Sequence, residues 1–200
     1  EEEIFDKGEY KKLLSSPRVV AVGECGLDYY RTPLQNREAE VKRQRELFKR
    51  QIELALEVDK PLMLHCRPQK GSMDAYKETL EILEEYKSEK GLRGNVHFFV
   101  GDGAIAEEFL KLNFTFSFTG VLTFAREYDE VLKFLPIESI LSETDAPYVS
   151  PVPFRGQRNE PTYVAEVAEE ILRIRGEEGE GGREILLSNT KRIFGPSLDF

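Results

Sequence analysis

The sequence is 200 residues long, with 40% hydrophobic and 32% charged residues. That is enough apolar content for one domain with a substantial core, and its interleaving with charge excludes a disordered chain. Lys plus Arg number 28 against 37 Asp plus Glu, a formal net charge of -9, which removes the basic footprint of a general nucleic-acid binder but not a metallonuclease, whose bound cations reverse the field inside its cleft.

Short apolar runs alternate with longer segments of helical periodicity, the pattern of βα units and a parallel sheet. Strands are predicted at Val19 to Gly23, Leu62 to His65, Asn95 to Phe99, Phe114 to Phe118 and Ile140 to Glu143. Helices are predicted over Gln35 to Val58, Met73 to Glu89, Gly103 to Lys111, Tyr128 to Phe134 and Pro161 to Arg175, with Asn159 as a candidate N-cap for the last. The glycine-rich acidic stretch Gly176 to Gly182 reads as a mobile loop, and Arg183 to Ile193 as a final helix. The whole is taken as one domain, residues 1–200.

Two cysteines, Cys25 and Cys66, are too few for a disulfide framework and suit a reducing compartment. No stretch approaches the ~18 consecutive apolar residues of a membrane span, and the opening EEEIFDKGEY is unlike a signal peptide, so the expected location is cytoplasmic. The first residue is Glu1 rather than Met, which suggests a chain that begins inside a longer protein or has been processed.

In barrels of alternating strand and helix the chemistry sits at the C-terminal ends of the strands. Glu24 follows RVVAVG, His65 follows KPLML, His97 follows RGNV, and Asp145 follows ESILSET. Strand alternation places Val20, Val22 and Glu24 on one face, Met63 with His65, and Leu141 and Glu143 with Asp145. One histidine so placed is most simply a hydrogen-bonded core residue, and either acid alone is an ordinary helix cap or surface group. Both histidines of the chain, together with two acids, on four separate strand ends form instead a ligand set for a divalent cation.

The segments GECGLDYYR (Gly23 to Arg31), LMLHCR (Leu62 to Arg67), VHFFVGD (Val96 to Asp102), SETDAPYVSPVPFRGQRNEP (Ser142 to Pro161) and SNTKRIFG (Ser188 to Gly195) resemble, in order, the signature segments of the TatD family of metal-dependent hydrolases. The resemblance runs from about Val19 to the C-terminus. It implies an α/β fold, a TIM-type barrel of the metal-dependent hydrolase superfamily, incomplete here with about five parallel strands. It implies hydrolysis of DNA phosphodiester bonds with divalent metal ions, Mg2+, Mn2+ or Zn2+, about two in the complete protein. Glu24 is then the carboxylate between two metals, His65 and His97 are ligands, and Asp145 is a ligand that also orients or deprotonates the attacking water, so that Asp145 and Glu24 are the catalytic pair. Arg67 and Arg158 become candidate phosphate contacts, although a surface ion pair explains a single Arg as well.

Two departures qualify the resemblance. Phe99, Val100, Gly101 and Asp102 stand where the family has a small residue and glycine, and the family's opening His-x-His strand has no counterpart, since the sequence holds no third histidine. A five-stranded open sheet exposes two edges and lacks most ligands of the first metal, so the isolated chain is expected to be weakly active or inactive. The expected partner is DNA as substrate, with neither a membrane nor an obligate protein partner. The alternatives are a metal-dependent hydrolase of a small ester or amide, and an inactive protein that only binds a partner.

Overall fold

The structure, a computed structural model, describes residues 5–32 and 34–195. In chain order it comprises α1 (Lys7–Leu14), β1 (Val22–Asp28), α2 (Arg37–Glu57), β2 (Leu62–Arg67), α3 (Asp74–Glu84), β3 (Gly94–His97), α4 (Gly103–Lys111), β4 (Phe114–Phe118), α5 (Asp129–Phe134), β5 (Ile140–Ser142), α6 (Val164–Arg175) and α7 (Glu180–Phe194). The strands form one sheet in the order β1, β2, β3, β4, β5. β1 pairs with β2 and β4 with β5 in parallel, as helical crossovers between successive strands require. The chain divides into two compact units, one running to Asn95 and rejoined at Ile193, the other Val96–Arg192.

In the first unit, α2 is amphipathic. Phe48, Ile52 and Ala55, spaced four and three residues apart, are buried on the side that packs against β1, while its charged residues face outward. It stops at Val58 because Asp59 adopts a left-handed φ of 50° ahead of Pro61. α3 buries Ala75, Tyr76, Thr79, Ile82 and Leu83 against β1 and β2. The segment KGEYKKLL, assigned no element in the sequence reading, is α1, capped by Asp6, whose carboxylate accepts from the amides of Gly8 (2.8 Å) and Glu9 (3.1 Å).

The predicted β1 was placed too early. It starts at Val22, and a bulge between Gly23 and Cys25 breaks the alternation, so that Val22 and Cys25 are both buried while Glu24 is exposed. Beyond the bulge, Cys25 and Leu27 are buried, and Gly26 and Asp28, alternating with them, are half-buried. Gly26 has φ +134°, and a Cβ on it would lie 2.3 Å from the carbonyl oxygen of His65, so a side chain there would force β1 away from β2.

In the second unit, β4 is buried along its whole length. Its phenylalanines meet Phe99 and Phe109, with Phe99 and Phe116 ring centroids 4.7 Å apart and Phe109 and Phe114 5.9 Å apart. Each such ring removed from water stabilises by roughly 1.5–3 kcal/mol. α4 begins where predicted, its N-cap Asp102 accepting from the amide of Ile105 at 2.9 Å. α6 ends at Gly176 in the left-handed conformation, φ 69°.

The expected loop from Gly176 to Gly182 is shorter than predicted, since α7 already begins at Glu180. Glycine disfavours helix, but close packing overrides that preference here: a Cβ on Gly182 would lie 2.3 Å from the Glu177 carbonyl oxygen and 2.6 Å from Leu172 Cδ2. Asn159 is not the N-cap. The single 3₁₀ turn Pro161–Tyr163 precedes α6 with Glu160 at its N-cap, and Asn159 is spent elsewhere. Among the described residues, no helix is long and apolar enough to cross a membrane.

Candidate metal centre

The first unit supplies Glu24 and His65. His65 sits within β2, on the face that its alternation leaves half-buried with Met63 and Arg67. The β1 bulge turns Glu24 toward the same face, with its Oε2 3.6 Å from His65 Nδ1. Glu24 therefore lies inside β1 rather than at its end, contrary to the sequence expectation, and the strand runs on to Asp28. The other ring nitrogen, His65 Nε2, lies 3.3 Å from Asp28 Oδ2. The sequence reading did not single out Asp28; the signal was its two-residue spacing from Gly26 and Glu24 in GECGLD.

The second unit supplies His97 and Asp145. His97 is the last residue of β3, and the chain turns at once, since Phe98 has φ 48°. His97 Nδ1 lies 2.5 Å from Glu143 Oε2. Glu143 Oε1 also accepts from the Phe98 amide at 2.7 Å and the Ser117 hydroxyl at 2.6 Å. His97 Nε2 lies 3.8 Å from Asp145 Oδ1. Glu143, which the sequence reading noted only for its alternation, thus orients the imidazole from behind, as a carboxylate commonly does for a ligating histidine.

Asp145 stands three residues beyond β5 in a left-handed conformation, φ 54°, in a loop held by Asn159. The buried Asn159 amide donates to the carbonyls of Thr144 at 2.7 Å and Tyr148 at 2.5 Å. The side chain expected to cap a helix instead fixes the turn that carries Asp145.

Each unit therefore repeats one arrangement. An imidazole has one nitrogen on a carboxylate partner and the other facing a second carboxylate at 3.6 or 3.8 Å. Those separations are long for hydrogen bonds but close to the distance between two ligands of one small cation, about 3.4 Å for tetrahedral bonds near 2.1 Å. Imidazole with carboxylate is also the donor chemistry that a borderline divalent cation takes.

Of the two candidate phosphate contacts, Arg67 lies in the first unit with its guanidinium 4.3 Å from the centroid of the half-exposed Tyr30 ring. Arg158 lies in the second, exposed on the loop before Asn159. Sequence reasoning did not pick out Arg155, whose guanidinium stacks 3.9 Å over the exposed Phe124 ring. The two cysteines stay as thiols. Burial raises both, Cys66 to about 12 and Cys25 further, with the neighbouring Cys66 and Glu24 charges adding to the effect.

Parallel βα units that carry paired imidazole and carboxylate side chains, Glu24 and His65 within strands and His97 and Asp145 at or just beyond strand ends, are the arrangement of a metal-dependent hydrolase of the TIM-barrel class. The model of the TatD related DNase family matches residues 2–195. An uncharacterized metal-dependent hydrolase of Bacillus subtilis, YabD, is 40% identical over 188 residues, covering 92% of this chain and 68% of its own length. The 3'-5' ssDNA/RNA exonuclease TatD of Erwinia billingiae is 34% identical over 192 residues, covering 92% and 69%. The crystal structure of the TatD homologue YjjV from Escherichia coli superposes with a TM-score of 0.79 at 29% identity, over 95% of this chain and 71% of that one. The chain belongs to the TatD family of metal-dependent hydrolases, and its five strands are part of that family's TIM-type barrel.

Proposed function

We propose that the protein hydrolyses DNA phosphodiester bonds with divalent cations held by Glu24, His65, His97 and Asp145. The observation that carries this reading is the repeated imidazole–carboxylate pair, with nitrogen to oxygen separations of 3.6 and 3.8 Å, too long for strong hydrogen bonds and suited to two ligands of one ion. A divalent cation held there would lower the pKa of a water and polarise a phosphoryl oxygen. Asp145 would orient the attacking water and accept its proton, and Glu24 would balance the cationic charge. Arg67 and Arg158 take the phosphates of the strand.

Nucleic acid is favoured over a small ester or amide by two exposed aromatic rings, each paired with an arginine. Tyr30 and Phe124 are exposed, each under an arginine at 4.3 and 3.9 Å, and ring faces with guanidinium groups suit stacked bases and a phosphate chain. The name of the Erwinia relative, an exonuclease on single-stranded DNA and RNA, points the same way. Incubation of end-labelled single-stranded DNA with the full-length protein, including the barrel's opening strands, and Mn2+ or Mg2+ should give cleavage that EDTA abolishes. No cleavage with Mg2+, Mn2+ or Zn2+, alongside turnover of small esters, would overturn the assignment in favour of a small-molecule hydrolase.

A further inference from the structure

We infer that Asp28 is a positioning residue that sets which ring nitrogen of His65 is offered to a cation, an inference that rests on the metal-site reading above. Asp28 Oδ2 lies 3.3 Å from His65 Nε2. A carboxylate only accepts hydrogen bonds, so it holds the imidazole proton on Nε2 and leaves the lone pair on Nδ1. That is the nitrogen facing Glu24 at 3.6 Å.

Asp28 is itself clamped from three directions. The Gln44 side chain on α2 pairs with both of its backbone groups: Gln44 Oε1 accepts from the Asp28 amide at 2.9 Å, and Gln44 Nε2 donates to the Asp28 carbonyl at 3.1 Å. The Thr32 hydroxyl donates to the same carbonyl at 2.8 Å. The Arg31 amide donates to Asp28 Oδ1 at 3.2 Å, which leaves Oδ2 turned to the ring. β1 ends at Asp28, where backbone groups would otherwise meet water. A helix side chain that satisfies both of them fixes the carboxylate to the scaffold rather than to a mobile loop.

Gln44, Asp28 and His65 thus form a relay of position from α2 to the ligand. It mirrors Glu143 behind His97, with the opposite nitrogen held. The two imidazoles therefore present different atoms, Nδ1 of His65 and Nε2 of His97. Swapping the proton on His65 would place N–H where a cation needs a lone pair.

The test is nitrogen-15 NMR of the histidine rings in metal-free protein at about pH 8.5, roughly two units above the pKa of an unperturbed histidine. The wild-type His65 should be in the Nε2–H form. Asp28→Asn, whose amide can donate to Nε2, should shift it toward Nδ1–H and weaken calorimetrically measured Mn2+ binding about 10–100-fold. Asp28→Glu should keep the wild-type form. Gln44→Met, which leaves the carboxylate but removes the clamp, should give a mixed population and an intermediate affinity. The dispersion of the amide spectrum reports folding, and the Gln44 variant decides the matter if Asp28→Asn does not fold. A wild-type ring protonated on Nδ1, or an Asp28→Asn ring unchanged from wild type, overturns the inference. The ring spectrum is read without metal or DNA, so a failure to cleave DNA would defeat the proposed function and leave this result to stand or fall separately.

Discussion

Replacing Glu143 by Gln probes the support behind His97. The carboxylate takes three donors: His97 Nδ1 at 2.5 Å, the Phe98 amide at 2.7 Å and the Ser117 hydroxyl at 2.6 Å. Its side chain is 20% exposed, so water replaces lost partners poorly. The isosteric amide keeps one acceptor oxygen, which can satisfy Phe98 and Ser117 as neutral bonds. Its NH2 then faces His97 Nδ1 and selects the ring form with the proton on Nε2, the nitrogen 3.8 Å from Asp145. Downgrading two charge-assisted bonds and inverting a third should cost about 2–3 kcal/mol. For a chain of 200 residues that is a fall in Tm of roughly 4–12 °C. Mn2+ affinity should fall about 10–100-fold. Ser117→Ala, which deletes only one donor, should cost about 1 kcal/mol and leave metal affinity near wild type. Thermal melts and calorimetry on both variants check the argument. Glu143→Gln with unchanged Tm and unchanged metal binding would refute the view that this carboxylate orients the ring.

Other consequences can be measured with standard assays. Gly26→Ala should destabilise by about 2–4 kcal/mol in urea melts, because the new Cβ would meet the His65 carbonyl oxygen at 2.3 Å and the residue would carry a strained backbone; a loss under about 1 kcal/mol would mean that β1 shifts freely. Cys66 is raised from 9.0 to about 12 in the folded protein, so the unfolded chain ionises first. Its contribution to stability is full below pH 9 and is lost as pH rises towards 12, by up to about 1.4 kcal/mol per pH unit. Urea melts of Cys66→Ala should show a shallower alkaline decline than wild type, and equal slopes would contradict the burial argument. Arg67→Ala should weaken single-stranded DNA binding about equally across sequences and lower the salt slope by roughly one, as read by fluorescence anisotropy; unchanged binding would remove Arg67 from the phosphate path.

The parallel α/β class was legible because short apolar runs alternate with amphipathic segments, and β4 and α4 lie where the pattern put them. The register of β1 was not legible. Alternation assumes an unbroken pleat and puts Val22 and Glu24 on one face, whereas the bulge at Gly23 and Cys25 leaves Val22 buried and turns Glu24 outward to His65. From Glu24 onward the two-residue spacing holds as far as Asp28, which lay beyond a strand expected to end at Gly23. The helical start of α7 was masked by Gly181 and Gly182, of which Gly182 serves close approach to Leu172 of α6 rather than turn formation. Glu143 and Asn159 were in view as residue types, but their tasks depend on contacts distant in sequence, 46 positions to His97 and 15 to Thr144. Local patterning carries no record of such contacts.

The central claim is that Glu24, His65, His97 and Asp145 bind divalent cations, and calorimetric titration of the protein with Mn2+ tests it most directly. Wild type should bind with saturable heat that His65→Ala, His97→Ala, Glu24→Gln and Asp145→Asn each reduce, with far-UV circular dichroism preserved. Saturable binding unaltered in all four variants, or no binding by the folded wild type, would contradict the account.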